Sequence, residues 1–183
     1  NGQPDAARVL ADHGAPLELE TAAGVGRLEL VKSLHASATQ QQLQNGFLAA
    51  CMRGEEDVAV FLLEHGADPN DPADTGATAL HWAAGAGHLG LVTRLLQLGV
   101  PLEVINRWGG TVLEHAGYGF DHGPFDIDFV PTFESLLAAG AKIRGSWLQW
   151  IESVKSRSAE EKARLTDVFR RYGALGSSRD SRR

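Results

Sequence analysis

Gly85-Ala86-Gly87-His88-Leu89-Gly90 carries the G-x-G-x-x-G spacing with which a strand-to-helix turn lays backbone amides on a dinucleotide pyrophosphate. That chemistry needs a buried strand before the first glycine. Leu80-His81-Trp82-Ala83-Ala84 stands there and reads as helix, so the glycines are assigned to a tight turn between two helices. Asp68-Pro69-Asn70-Asp71-Pro72-Ala73-Asp74 collects oxygen-bearing side chains, yet lacks the sixth-position glycine and twelfth-position glutamate of an EF-hand loop. Asp and Asn also stabilise turns through their own backbone, so a solvated turn is expected. The seven histidines include no pair at metal-ligand spacing on one helix. His122 beside Asp121, Asp126 and Asp128 is the one group from which a metal-dependent enzyme could be built. Neither G-x-S-x-G nor H-E-x-x-H occurs. The expectation is a chain with no catalytic residues, no cofactor and no metal ligands.

The elements around these groups repeat. Thr78-Ala79-Leu80-His81-Trp82-Ala83-Ala84 is followed by Gly87-His88, Val92, Leu95-Leu96 and Gly99. A shift of 33 residues toward the N-terminus meets Phe47, Ala50-Cys51, Gly54, Leu62-Leu63 and Gly66-Ala67-Asp68. The same shift toward the C-terminus meets Thr111-Val112-Leu113-Glu114 and Ala116-Gly117. A degenerate copy reads Ala22-Ala23, Gly26, Val31 and Leu34, and further copies end at Gly14, Gly140 and Gly173. Each unit is expected to be a helix–turn–helix. Small residues such as Ala83 and Ala84 let first helices approach, and Leu91, Val92, Leu95 and Leu96 form an apolar stripe on the second helix. Gly99 falls where a helix ends in the left-handed conformation. Cys51 takes the place of Ala84 and reads as an inert packing thiol.

This pattern resembles the ankyrin repeat, most closely over residues 66–106 and more weakly over residues 5–174. The resemblance implies an all-α fold: an α-solenoid of stacked helix–turn–helix repeats at 1–174, in five or six units, the first truncated. Residues 175–183 read as a flexible basic tail. An eight-residue insertion is expected between the two helices of the fourth unit, at about 119–130. Its Phe120, Phe125 and Phe129 either pin it to the stack or help present Asp121, Asp126 and Asp128 as a protruding recognition element. Ser158 and Glu161 form a capping box in the last unit, whose arginines read as solvation. His81 belongs to the family's threonine–histidine motif and would tie adjacent loops together. The start at Asn1 suggests that preceding residues were removed or not included.

The resemblance also implies a protein–protein interaction module that binds a macromolecular partner with its concave face and finger loops. Register places Gln41, Gln42, Gln44, Met52 and Arg53 on that face in the third unit. Asp74, Thr75, Ala77 and Ala86 follow in the next, and Arg107, Trp108 and Tyr118 in the fourth. Arg107, Trp108 and Tyr118 are the expected anchors, because interface energy concentrates in Arg, Trp and Tyr. Residues 1–140 carry 18 acidic and 6 basic side chains, whereas residues 141–183 carry 5 and 11. A protein partner with a basic surface therefore suits the body, and nucleic acid does not. No apolar run approaches the roughly 20 residues of a membrane span. A single cysteine fits a reducing, cytoplasmic setting, and a monomer is expected. The alternative is a structural or regulatory segment of a larger protein, or a self-assembling scaffold, suggested by Trp147 and Trp150 in the end unit.

Overall fold

The computed structural model describes residues 18–179. Among them ten α-helices make five hairpins and no strand is present. These are α1 (Leu19–Gly24) with α2 (Leu28–Leu34), α3 (Gln40–Arg53) with α4 (Glu56–Glu64), and α5 (Ala79–Ala86) with α6 (Leu89–Gln97). Then come α7 (Val112–His122) with α8 (Val130–Ala138), and α9 (Trp147–Ser153) with α10 (Ala159–Arg179). The truncated unit expected near Gly14 lies outside the described residues, as do residues 180–183.

The helices start where side chains satisfy their first amides. Capping boxes join Thr39 to Gln42, Thr78 to His81, Thr111 to Glu114 and Ser158 to Glu161. Gly87 closes α5 at φ 76°, so the G-x-G-x-x-G segment runs from the end of α5 through the Gly87-His88 turn into α6. Gln41 and Gln42 lie in the first turn of α3, which the Thr39 cap starts. One register assignment needs correction, that of Gln44 to the binding face. Gln44 is buried and turned to the next loop, where its amide meets the backbone of Asp68 and Asp71. At the other end, α10 passes through Gly173 to Arg179 instead of ending at the glycine.

First helices stack in one row, α1 on α3, α3 on α5 and α5 on α7, and second helices in another, α2 on α4, α6 on α8 and α8 on α10, each also packing on its own partner. Buried Ala22, Ala23, Ala50, Cys51, Ala83, Ala84 and Ala116 make that approach possible. It is closest at Gly119, where an added Cβ would overlap the carbonyl oxygen of Gly85. Phe47, Leu62, Leu80, Leu91, Leu95, Leu113, Phe120, Phe133 and Leu136 fill the space between the rows. Burial pushes the Cys51 thiol far above its ordinary range, consistent with a packing role.

The insertion lengthens α7 to 11 residues, against 8 in α5, and then folds back so that Ile127 and Phe129 sit against Gly87. Phe120 and Phe129 are buried and pin it, while Phe125 is 73% exposed. Arg157 completes the attachment. Its buried guanidinium donates to the carbonyls of Phe120, Pro124 and Ile127, and lies 5.1 Å from the ring centres of both Phe120 and Phe129. Nor are the other basic side chains of the end unit only solvation. Arg164 pairs with Asp128 at 2.7 Å, Arg171 with Glu134, and Arg144 with Glu103. Trp147 and Trp150 are used internally, Trp147 stacking on Phe169 at 4.9 Å and Trp150 meeting Phe120 at 5.9 Å.

Gly119→Ala is expected to lower the unfolding free energy by about 2 kcal/mol, because backbone lies opposite the new methyl. Gly24→Ala, where an added Cβ meets only ordinary contacts, should be neutral or slightly stabilising; urea melts compare the two. Arg157→Ala should cost about 3 kcal/mol by the same measurement, since it strands buried carbonyls. Arg157→Lys should restore little of it, because one ammonium cannot reproduce the planar fork.

Candidate protein-binding surface

The finger loop before α7 is built by Asn106. This buried side chain accepts hydrogen bonds from the backbone amides of Trp108 and Gly110, both at 3.0 Å. Its Nδ2 donates to His115 Nδ1 at 3.2 Å, which ties the fingertip to α7 and leaves the ring hydrogen on Nε2. The amide of Arg107 donates to the Thr75 carbonyl at 3.1 Å, joining this finger to the preceding one. The turn thus carries Trp108 into solvent with little freedom. The Asn-x-x-Gly-Gly pattern was the sequence signal for Asn106, but its side-chain role depends on a helix beyond the loop.

Trp108 is 58% exposed and still has neighbours. Trp82 meets it edge-on at 6.3 Å, and the Arg107 guanidinium lies 4.7 Å from its ring centre. His115 is the hub, with ring centres of Trp82, Trp108 and Tyr118 at 5.5, 6.4 and 6.4 Å. Tyr118, 64% exposed, stacks on His122 at 4.5 Å. Arg107, Trp108 and Tyr118 therefore share one aromatic ribbon with Trp82, His115 and His122. His115 was not recognisable in the sequence, because the equivalent place in the preceding unit holds Trp82. Next to the ribbon lies a groove of about 310 Å³ lined by Glu114, Tyr118, Asp121, Arg144, Trp147 and Trp150, among others.

Other expected contact residues lie elsewhere. Met52 and Arg53 border a separate groove with Glu55, Gly85, His88, Pro124 and Ile127. Asp74 is exposed and Thr75 half-buried in the finger before α5. Gln42 is exposed, with its amide oxygen accepting from Thr39 in the capping box. His122 donates from Nδ1 to the Tyr118 carbonyl, and Asp128 is paired with Arg164. His122 Nδ1 lies 4.0 Å from the Asp121 carboxylate, but no group of three His, Cys, Asp or Glu suited to a metal exists among the described residues.

His81 does the tying expected of it. Its Nδ1 accepts from the Thr78 amide at 3.1 Å, and its Nε2 donates to the Val104 carbonyl at 3.2 Å. Burial, helped by the nearby His115, pushes its pKa down to about 4, against the pull of carbonyls at Gly110 and Val104. Burial also lowers His115, and lowers His88, whose Nε2 donates to the Met52 carbonyl of the preceding unit.

This hairpin stack agrees with the comparisons to known proteins. A family model for ankyrin repeats, in three copies, matches residues 19–107. Cyclin-dependent kinase 4 inhibitor B of Bos taurus is 36% identical over 107 residues, covering 55% of this chain and 81% of the relative. The Rattus norvegicus protein of that name is also 36% identical, over 102 residues that cover 52% and 78%. Cyclin-dependent kinase inhibitor 2A of Homo sapiens is 37% identical over 97 residues, covering 50% and 62%. This chain belongs to the ankyrin-repeat family. As an ankyrin-repeat protein it is a protein-binding module and not an enzyme. The family match ends at Arg107, so His115, Tyr118, the insertion and the basic end unit of this ankyrin-repeat chain lie beyond it.

The histidines set a pH dependence. Unfolded His81 takes a proton near pH 6.5, whereas the folded ring resists protonation down to about 4. The unfolded state therefore binds more protons in that window, and its stability contribution is complete above about pH 6.5 and lost as pH falls toward 4. Urea midpoints at about pH 7, 5.5 and 4.5 should fall in that order, and His81→Gln should flatten the trend by up to about one proton. His88 and His115 would supply the slope that remains.

Proposed function

We propose that this chain is an intracellular adaptor that captures one protein partner on the aromatic ribbon at the fourth finger. The observation that carries this reading is the cluster Arg107–Trp108–Trp82–His115–Tyr118–His122. It offers exposed aromatic surface on a loop stiffened by Asn106, and a stiff loop loses little entropy on binding. Arg107, Trp108 and Tyr118 act as anchors. Asp74 and Thr75 extend the surface along the neighbouring finger, and Gln42, Met52 and Arg53 supply further contacts on the third unit, the last two from their own groove. The acidic body favours a partner with a basic surface. The inward packing of Trp147 and Trp150 supports a monomer over self-assembly through those rings. The relatives named as cyclin-dependent kinase inhibitors make a kinase of that class the first partner to try. Much of the ribbon lies beyond the family match, which leaves room for a different choice of partner.

The test combines affinity capture from the native host with binding measurements on a cyclin-dependent kinase. Trp108→Ala should weaken capture by about 2 kcal/mol, roughly thirtyfold, while thermal stability changes little. Unchanged capture with a large loss of stability would make Trp108 structural and remove this reading.

A further inference from the structure

Two histidines from different hairpins meet on the side of the molecule formed by the second helices. His35 opens the short turn after α2, and His65 caps the end of α4. Their ring centres are 4.8 Å apart, with an interplanar angle of 74°. Both rings make the same kind of hydrogen bond. His35 Nδ1 donates to the Lys32 carbonyl at 2.6 Å, and His65 Nδ1 donates to the Phe61 carbonyl at 2.7 Å. A carbonyl only accepts, so each neutral ring carries its hydrogen on Nδ1 and keeps a lone pair on Nε2. Neither Nε2 has a hydrogen-bond partner among the described residues. Phe61 holds the pair in place, stacking on His65 at 4.0 Å and meeting His35 edge-on at 5.1 Å.

We propose that His35 and His65 form a two-histidine site for a divalent transition ion of the zinc, nickel or copper class, bound through both Nε2 atoms. Metal–imidazole bonds of about 2.0–2.1 Å, at angles between about 90° and 110°, place two ring centres about 4.5–5.2 Å apart. The observed separation falls inside that range. An Nδ1–H held by a backbone carbonyl is also the usual outer partner of a metal-ligating histidine, because it fixes the tautomer and raises the basicity of Nε2. Imidazole ligands select zinc, nickel and copper over magnesium and calcium, which take oxygen. Water completes the coordination. An ion held this way joins the turn after α2 to the end of α4, so binding clips one hairpin to the next. No spacing rule along a single helix finds such a pair, because the ligands come from separate repeats.

The test titrates the full chain, freed of any histidine tag, with zinc chloride and separately with nickel chloride by calorimetry. One ion should bind per chain at micromolar concentration, and His35→Gln and His65→Gln should each weaken it by about tenfold or more. His122→Gln, distant from the pair in the fold, should bind as the parent does. Nickel should broaden the ring-proton resonances of His35 and His65 ahead of the other histidines, a readout on the unaltered protein. Zinc should raise the thermal midpoint of the parent and leave that of His35→Gln unmoved. Undiminished binding in both variants, or no binding below millimolar metal, would overturn the proposal.

Discussion

The approach of backbone to backbone between successive first helices is the constraint on which the other features of this molecule depend. Gly119 rests on the carbonyl of Gly85, and alanines line the row on either side. Each hairpin alone would leave an apolar face in water, and stacking at this distance covers it. The same glycine makes room for the candidate surface. A Cβ at Gly85 would overlap the ring of His115, the hub of the aromatic ribbon. A spacing that imitates a nucleotide loop in the sequence thus serves helix packing, and through packing it places a binding surface.

Charge does a second job in the stack. The acidic body and basic end of the sequence look like separate surfaces, but in the fold they face each other across the last interface. Arg164, Arg171 and Arg144 pair with Asp128, Glu134 and Glu103 of the preceding unit. Exposed pairs of this kind contribute little individually. Arg157 differs because it is buried, donates to three carbonyls and the Glu161 carboxylate, and lies over the rings of Phe120 and Phe129. It holds an insertion that a repeat interface alone would not accommodate, and it leaves only Phe125 of the three insertion phenylalanines exposed.

The histidines show how one residue type takes several roles through its surroundings. His81 and His88 each give a ring hydrogen to the carbonyl of a neighbouring unit or loop, and burial keeps both neutral. His115 receives a hydrogen bond from Asn106 and collects aromatic rings. His35 and His65, at the surface, leave Nε2 unengaged. Burial and the atom that each ring nitrogen meets separate these roles.

The sequence by itself determined the repeat, the hairpin in each unit and the capping box at Ser158, and the ankyrin-repeat resemblance implied the tie at His81. The repeat, the hairpins and the cap rest on local spacing, which period and turn chemistry express directly. It also selected Arg107, Trp108 and Tyr118 as candidates, and these three do lie in one ribbon. The tertiary structure decided what depends on contacts between units. It turned Gln44 from the expected binding face onto the next loop, gave Arg157 and His115 their partners, folded the insertion inward and brought His35 to His65. Each of those outcomes is set by how closely neighbouring repeats approach, a distance that side-chain volumes fix only after the stack has formed.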